Sequence, residues 1–84
     1  SPVHRLGRAI AIGESEGPRA GLAELAELDP SLPRHTAAAA YLHEHAGDTR
    51  QAATLYVQAA REASHLAERN HLLRQAARVN AAAT

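Results

Sequence analysis

TAAAAYLHEHAGDTRQAATLYVQAAREA, residues 36–63, is the stretch whose reading decides the fold. It reads as two helices joined at Gly47-Asp48. Small residues at Ala40 and Ala52 let the two helices approach closely, and Tyr56 and Ala59 follow Ala52 at helical spacing. Moving back 31 residues from Ala40, Ala52, Tyr56 and Ala59 lands on Ala9, Gly21, Leu25 and Leu28. Small residues recur where helices must touch, and larger ones recur where the second helix fills a core. A period in the thirties made of two helical segments marks stacked helical hairpins, each burying against its neighbour a face it cannot bury alone. Such arrays bind partners and seldom perform chemistry. A protein-interaction module is the expectation.

The rest of the chain extends this pattern to five helices. Ser1 reads as a hydroxyl cap with Pro2 at the first helical position. Val3, Leu6, Ala9, Ile10 and Ile12 carry helical spacing to about Gly13. Gly17-Pro18 stops that helix and starts the next, which runs to about Leu28 with Leu22, Leu25 and Leu28 on one side. Pro30 and Pro33 forbid a continuous helix between the hairpins. The third helix spans about 33–46 and ends at Gly47, a natural left-handed cap. Asp48 and Gln51 resemble a capping box for the fourth, whose inward residues are Ala52, Leu55, Tyr56, Ala59 and Ala63. Ser64 is the expected cap of the fifth, with Leu66, Leu73, Ala76, Ala77 and Asn80 on its apolar stripe. No period-two alternation calls for a strand. The expected organisation is one all-α domain over residues 1–84: hairpin 1 at about 2–28, hairpin 2 at about 33–63 and a C-terminal helix at about 65–81.

Composition narrows the function classes. Hydrophobic residues make up 45% of the chain, but 21 of them are Ala and 10 are Leu, with no Phe, Trp, Met or Cys. An Ala-dominated core means closely packed helices and modest buried area, so modest stability is expected. The missing Met suggests a piece of something longer or a processed product. Nothing reads as a signal peptide or a membrane span, so a soluble, cytoplasmic protein is expected. Formal net charge is zero, which argues against a clustered basic face for nucleic acid.

Residues 36–63 resemble a tetratricopeptide repeat. Ala40 falls at the small position of its first helix, Gly47-Asp48 at the turn, and Ala52, Tyr56 and Ala59 at the small, aromatic and small positions of its second helix. The chain departs from that motif at Thr36, where a bulky aromatic is usual, and at Ser64, where proline is usual. Read together, SPVHRLGRAIAI (1–12), EGPRAGL (16–22), the Ala-rich hairpin and AERNHLLR (67–74) resemble the C-terminal extension of a group of bacterial extracytoplasmic-function sigma factors. There a tetratricopeptide-like domain follows the two promoter-reading sigma domains. Gly7 stands where the group usually has Asn. The resemblance implies a non-enzymatic regulatory extension without cofactors. Its expected partners are the sigma core, RNA polymerase or a signalling protein, with no direct contact to nucleic acid and none to a membrane. The rival expectation is a general adaptor unconnected with transcription. A small enzyme or metal-binding domain is a third.

Three groups of residues are candidates for a functional role. Val3, Leu6 and Ile10 fall on the concave face of the first helix on the tetratricopeptide template, while Ala9 and Ile12 point into the hairpin. Apolar residues on two faces of an end helix mark either a docking surface or a face covered by this domain's own helices. His71, Arg74 and Arg78, with Arg69 nearby, lie along the fifth helix as a candidate basic face or an ordinary charged one. The six histidines, His4, His35, His43, His45, His65 and His71, lack metal-ligand spacing, since His43 and His45 are two apart and face different ways. No nucleophile–base arrangement or paired carboxylate stands out, so no catalytic, cofactor or metal residues are expected.

Overall fold

The computed structural model describes residues 1–83 and is all-helical, with five helices and no strand among them. They are α1 (Pro2–Glu16), α2 (Pro18–Leu25), α3 (His35–His45), α4 (Thr49–Glu62) and α5 (Leu66–Ala83). Each helix packs on the next in chain order, and α1 also touches α3.

The first hairpin turns on a single residue. Gly17, at φ 106° and ψ 150°, adopts a backbone that only glycine holds without strain, and Pro18 restarts the helix. The two arms then meet symmetrically about it. A Cβ built on Gly21 would lie 2.7 Å from the Ala9 carbonyl oxygen and 2.8 Å from Gly13 Cα. One on Gly13 would collide with the Leu42 side chain of α3. The break between α1 and α2 falls at Gly17-Pro18, as expected. Gly13, where the apolar spacing of α1 stops, is a buried contact point inside the helix, which runs on to Glu16 beside α2.

The chain leaves α2 at Leu25, three residues earlier than the expected boundary, through tighter i→i+3 bonds from Glu27 N to Glu24 O and Leu28 N to Leu25 O. Leu28 stays buried in that turn. In the linker, Asp29 Oδ1 accepts bonds from the Ser31 N–H at 2.9 Å and from the Ser31 hydroxyl at 2.8 Å. Arg34 sits at φ 69°, in the left-handed region, so α3 starts at His35 and not at Pro33. At its other end, Gly47 (φ 85°) closes α3 as expected. Asp48 N–H bonds His43 O at 2.9 Å and Gly47 N–H bonds Glu44 O at 3.1 Å, the paired bonds of a Schellman motif.

Three expected side-chain caps do not form. Ser1 and Asp48 precede α1 and α4 without a capping bond from their side chains. The Asp48 carboxylate instead accepts a bond from His43 Nδ1 at 3.1 Å, which removes it from the capping box with Gln51. Helix α5 begins at Leu66, so His65 and not Ser64 immediately precedes it.

Two apolar clusters hold the helices. One gathers Leu6, Ala9, Leu25 and Leu28 from the first hairpin with Leu42 from α3. The other gathers Ala40, Ala52, Ala53, Tyr56, Ala59 and Ala60 with Leu72, Ala76 and Val79 of α5. All eight positions of the 31-residue repeat are buried. The buried stripe of α5 is Leu72, Ala76 and Val79, spaced i, i+4 and i+7. Of the expected stripe only Ala76 is buried; Leu66 and Leu73 face outward, 71% and 40% exposed, and Ala77 and Asn80 are exposed as well. Helix α4 buries Ala53 and Ala60 besides the expected Ala52, Tyr56 and Ala59, because α3 and α5 cover it from two sides.

Candidate functional site

The α1, α3 and α5 helices each present a face to one open cleft, and the 30–34 linker and the end of α4 complete its walls. Its volume is about 1040 Å³. Val3, Leu6 and Ile10 all line it, together with Leu32, Ala38 and Tyr41. The three candidate docking residues nevertheless have different roles. Val3 stands 71% exposed at the rim, whereas Leu6 is only 9% exposed and belongs to the core with Ala9 and Leu25. Ile10 lies between them, half-buried against the same cluster. Leu6 is corrected from a surface residue to a core residue that shows one edge to the cleft, because Leu25, Leu28 and Leu42 converge beneath α1.

The charges of the cleft are four, counting histidine as neutral: Glu14, Arg34, Glu62 and Glu68. Arg34 Nε donates to Glu68 Oε1 at 3.1 Å and ties the linker to α5. Tyr41 donates its hydroxyl to Glu14 Oε1 at 3.4 Å. Burial, and then the nearby Glu14 charge, push the Tyr41 phenol above its ordinary pKa. The Gln58 amide, donating to Glu62 at 3.1 Å, and then Thr36 hold the Glu62 carboxyl below its ordinary value.

The candidate basic face is not assembled as one patch. Arg78 reaches across to α3 and grips Glu44 with both terminal nitrogens, Nη1 to Oε2 at 2.7 Å and Nη2 to Oε1 at 2.8 Å. Tyr56 donates its hydroxyl to the same carboxylate at 3.1 Å, and Arg78 Nε bonds Gln75 at 2.8 Å. Arg78 thereby holds the Glu44 carboxyl below the usual range. Burial first, and the Glu44 bond second, push the Tyr56 phenol up to about 12. His71 and Arg74 are exposed, and His71 shares a second, smaller cleft with Arg78, while Arg74 stays outside it. Arg78 is thus a latch between α5 and α3. Nothing in the sequence marks that pairing, since its partners lie 34 residues apart.

Three histidines use a ring nitrogen within the fold. His35 Nε2 donates to Leu25 O at 3.2 Å, His45 Nδ1 to Tyr41 O at 2.9 Å and His43 Nδ1 to Asp48. Among the described residues no group of three or more His, Cys, Asp or Glu is placed to hold a metal ion. Among the same residues no helix is long and apolar enough to cross a membrane. Comparisons with protein-family models, with curated proteins and with solved structures gave no match.

Proposed function

We propose that this domain is a non-enzymatic protein-interaction module, the tetratricopeptide-like C-terminal extension of an extracytoplasmic-function sigma factor. In this reading it tunes transcription initiation through a protein contact made at the α1–α3–α5 cleft. The observation that carries the interaction reading is the cleft itself. It is an apolar-floored concavity of about 1040 Å³ on which three successive odd-numbered helices converge, with exposed Val3 at its rim. An apolar concavity with a few fixed polar groups is the usual form of a recognition site. The zero net charge, and the neutralisation of Arg78 by Glu44, favour a protein partner over duplex DNA. The link to sigma factors rests on the EGPRAGL segment (16–22) and its flanking stretches.

The test is promoter-dependent transcription by the full sigma factor carrying Val3→Glu with Ile10→Glu. Both residues line the cleft, and neither is fully buried. Altered transcription by a protein that keeps its helical signal and its melting transition supports the reading. Unchanged transcription by the folded double variant removes it.

A further inference from the structure

We propose that the cleft receives a partner helix with one apolar stripe and basic residues along both edges of that stripe. The inference rests on the interaction reading and deepens it by naming the occupant's chemistry.

Charge decides the edges. Of the four charges in the cleft, Arg34 and Glu68 neutralise each other at 3.1 Å. Glu14 on the α1 wall and Glu62 on the α4 wall are left. They stand on the two sides of an apolar floor. The arginines of α1, Arg5 and Arg8, are exposed and outside the lining. A ligand carrying carboxylates, such as an acidic chain terminus, meets like charge on both walls. One carrying Arg or Lys meets complementary charge.

Backbone chemistry decides the shape. An extended peptide laid on apolar surface must find partners for its own N–H and C=O groups. Among the described residues lining this cleft there is no Asn or Gln side chain, and Ser64 and His65, together at the α4–α5 turn, are too few to pair an extended backbone along the groove. The linker offers no strand edge either. Pro30 and Pro33 lack N–H groups, while Ser31 N–H and Leu32 N–H already bond Asp29 at 2.9 and 3.1 Å. A helix satisfies its backbone internally and shows only side chains to the groove. Helix length is compatible. At 1.5 Å per residue a segment of about 16 residues is about 24 Å long. The two long dimensions of the domain are 30 and 28 Å.

The experiment titrates the 84-residue protein against three fluorescein-labelled synthetic 16-residue peptides at low ionic strength. All three carry the same leucine stripe. The first has arginines on both edges, the second has glutamates there, and the third is the first with two central residues replaced by proline. The arginine peptide is expected to bind and to gain helical signal. The glutamate and proline peptides are expected to bind at least about tenfold more weakly. Glu14→Gln with Glu62→Gln keeps both side chains as acceptors. It should weaken the arginine peptide about threefold to tenfold while leaving the melting transition unchanged. Equal binding of the glutamate peptide, undiminished binding of the proline peptide, no effect of the double substitution, or no binding of any peptide would each overturn the proposal. None of those results touches the transcription test of Val3 and Ile10, so failure here and failure of the interaction reading are separable.

Discussion

The two hairpins fill the same repeat positions with different chemistry. Gly21, Leu25 and Leu28 of the first stand where Ala52, Tyr56 and Ala59 stand in the second. The first hairpin closes backbone against backbone at Gly13 and Gly21, and leucines fill the space beside that contact. The second is spaced by methyl groups. It fills its core with one aromatic ring, whose hydroxyl reaches out to the Glu44–Arg78 pair. At Gly21 the contact allows little adjustment, because an added Cβ meets backbone, whereas at Gly13 it meets the end of the Leu42 side chain. Alanine packing tolerates small shifts but buries little area per residue, so it gains from a polar latch. The comparison predicts that the first half fails by collision and cavity, and the second by loss of its latch.

The largest expected effect is at Leu42, which sits on α3 yet belongs to the first cluster and covers Gly13. Leu42→Ala should cost about 3–4 kcal/mol in denaturant unfolding, within the range for fully buried leucines. A cost under about 1 kcal/mol would mean that the halves are not joined through this side chain. Next is Gly21→Ala. Alanine is the better helix former by about 1 kcal/mol, but the collision with Ala9 O and Gly13 Cα should outweigh that and leave a net loss of about 2 kcal/mol. The converse change at the matching position, Ala52→Gly, should cost about 1 kcal/mol. A stabilised Gly21→Ala protein would break the contrast between the hairpins.

Tyr56→Phe should cost about 1 kcal/mol, the scale of one hydrogen bond, and should change the pH response. The folded Tyr56 holds its proton up to about 12, against an ordinary 10.0. The stability this represents is present below pH 10 and is lost as pH rises toward 12. Glu44 has the opposite sign. Its folded pKa is depressed, so its contribution is present above the ordinary glutamate range and is lost as pH falls through the folded value. Thermal melts across pH should therefore show a shallower alkaline loss in Tyr56→Phe and a shallower acid loss in Glu44→Gln. Curves parallel to those of the unaltered protein would remove the latch from the account. The smallest effect is expected at Leu73→Glu on the outer face of α5, within about 0.5 kcal/mol.

The repeat was legible because its eight positions carry a spacing that only packed hairpins explain, and all eight are buried. The burial of α5 was legible only at Ala76. Its sequence offers two stripes, and Leu66 and Leu73 outweigh Leu72 and Val79 until α4 is in place beside it. The stop at Gly17-Pro18 was legible, but the contact role of Gly13 was not, since it depends on Gly21 and Leu42 in other helices. The left-handed Arg34, which delays α3, has no signature in residue type. At the cleft, the sequence offered Val3, Leu6 and Ile10 on the template's concave face, and all three line it. The interior placement of Leu6 depends on Leu25, Leu28 and Leu42 beneath it, and the contributions of Leu32 and Tyr41 on how the linker and α3 come to lie beside α1.

The most direct test of the central claim maps the contact on the domain itself. The ¹⁵N-labelled domain would be titrated with the separately produced sigma core, and amide shifts followed residue by residue. The expected result is a set of perturbations centred on Val3, Ile10, Leu32 and Tyr41, abolished by Val3→Glu with Ile10→Glu, with no response to duplex promoter DNA alone. Perturbations centred on Leu66, Leu73 and Arg74 with the cleft unmoved, or a response to the DNA, would contradict it.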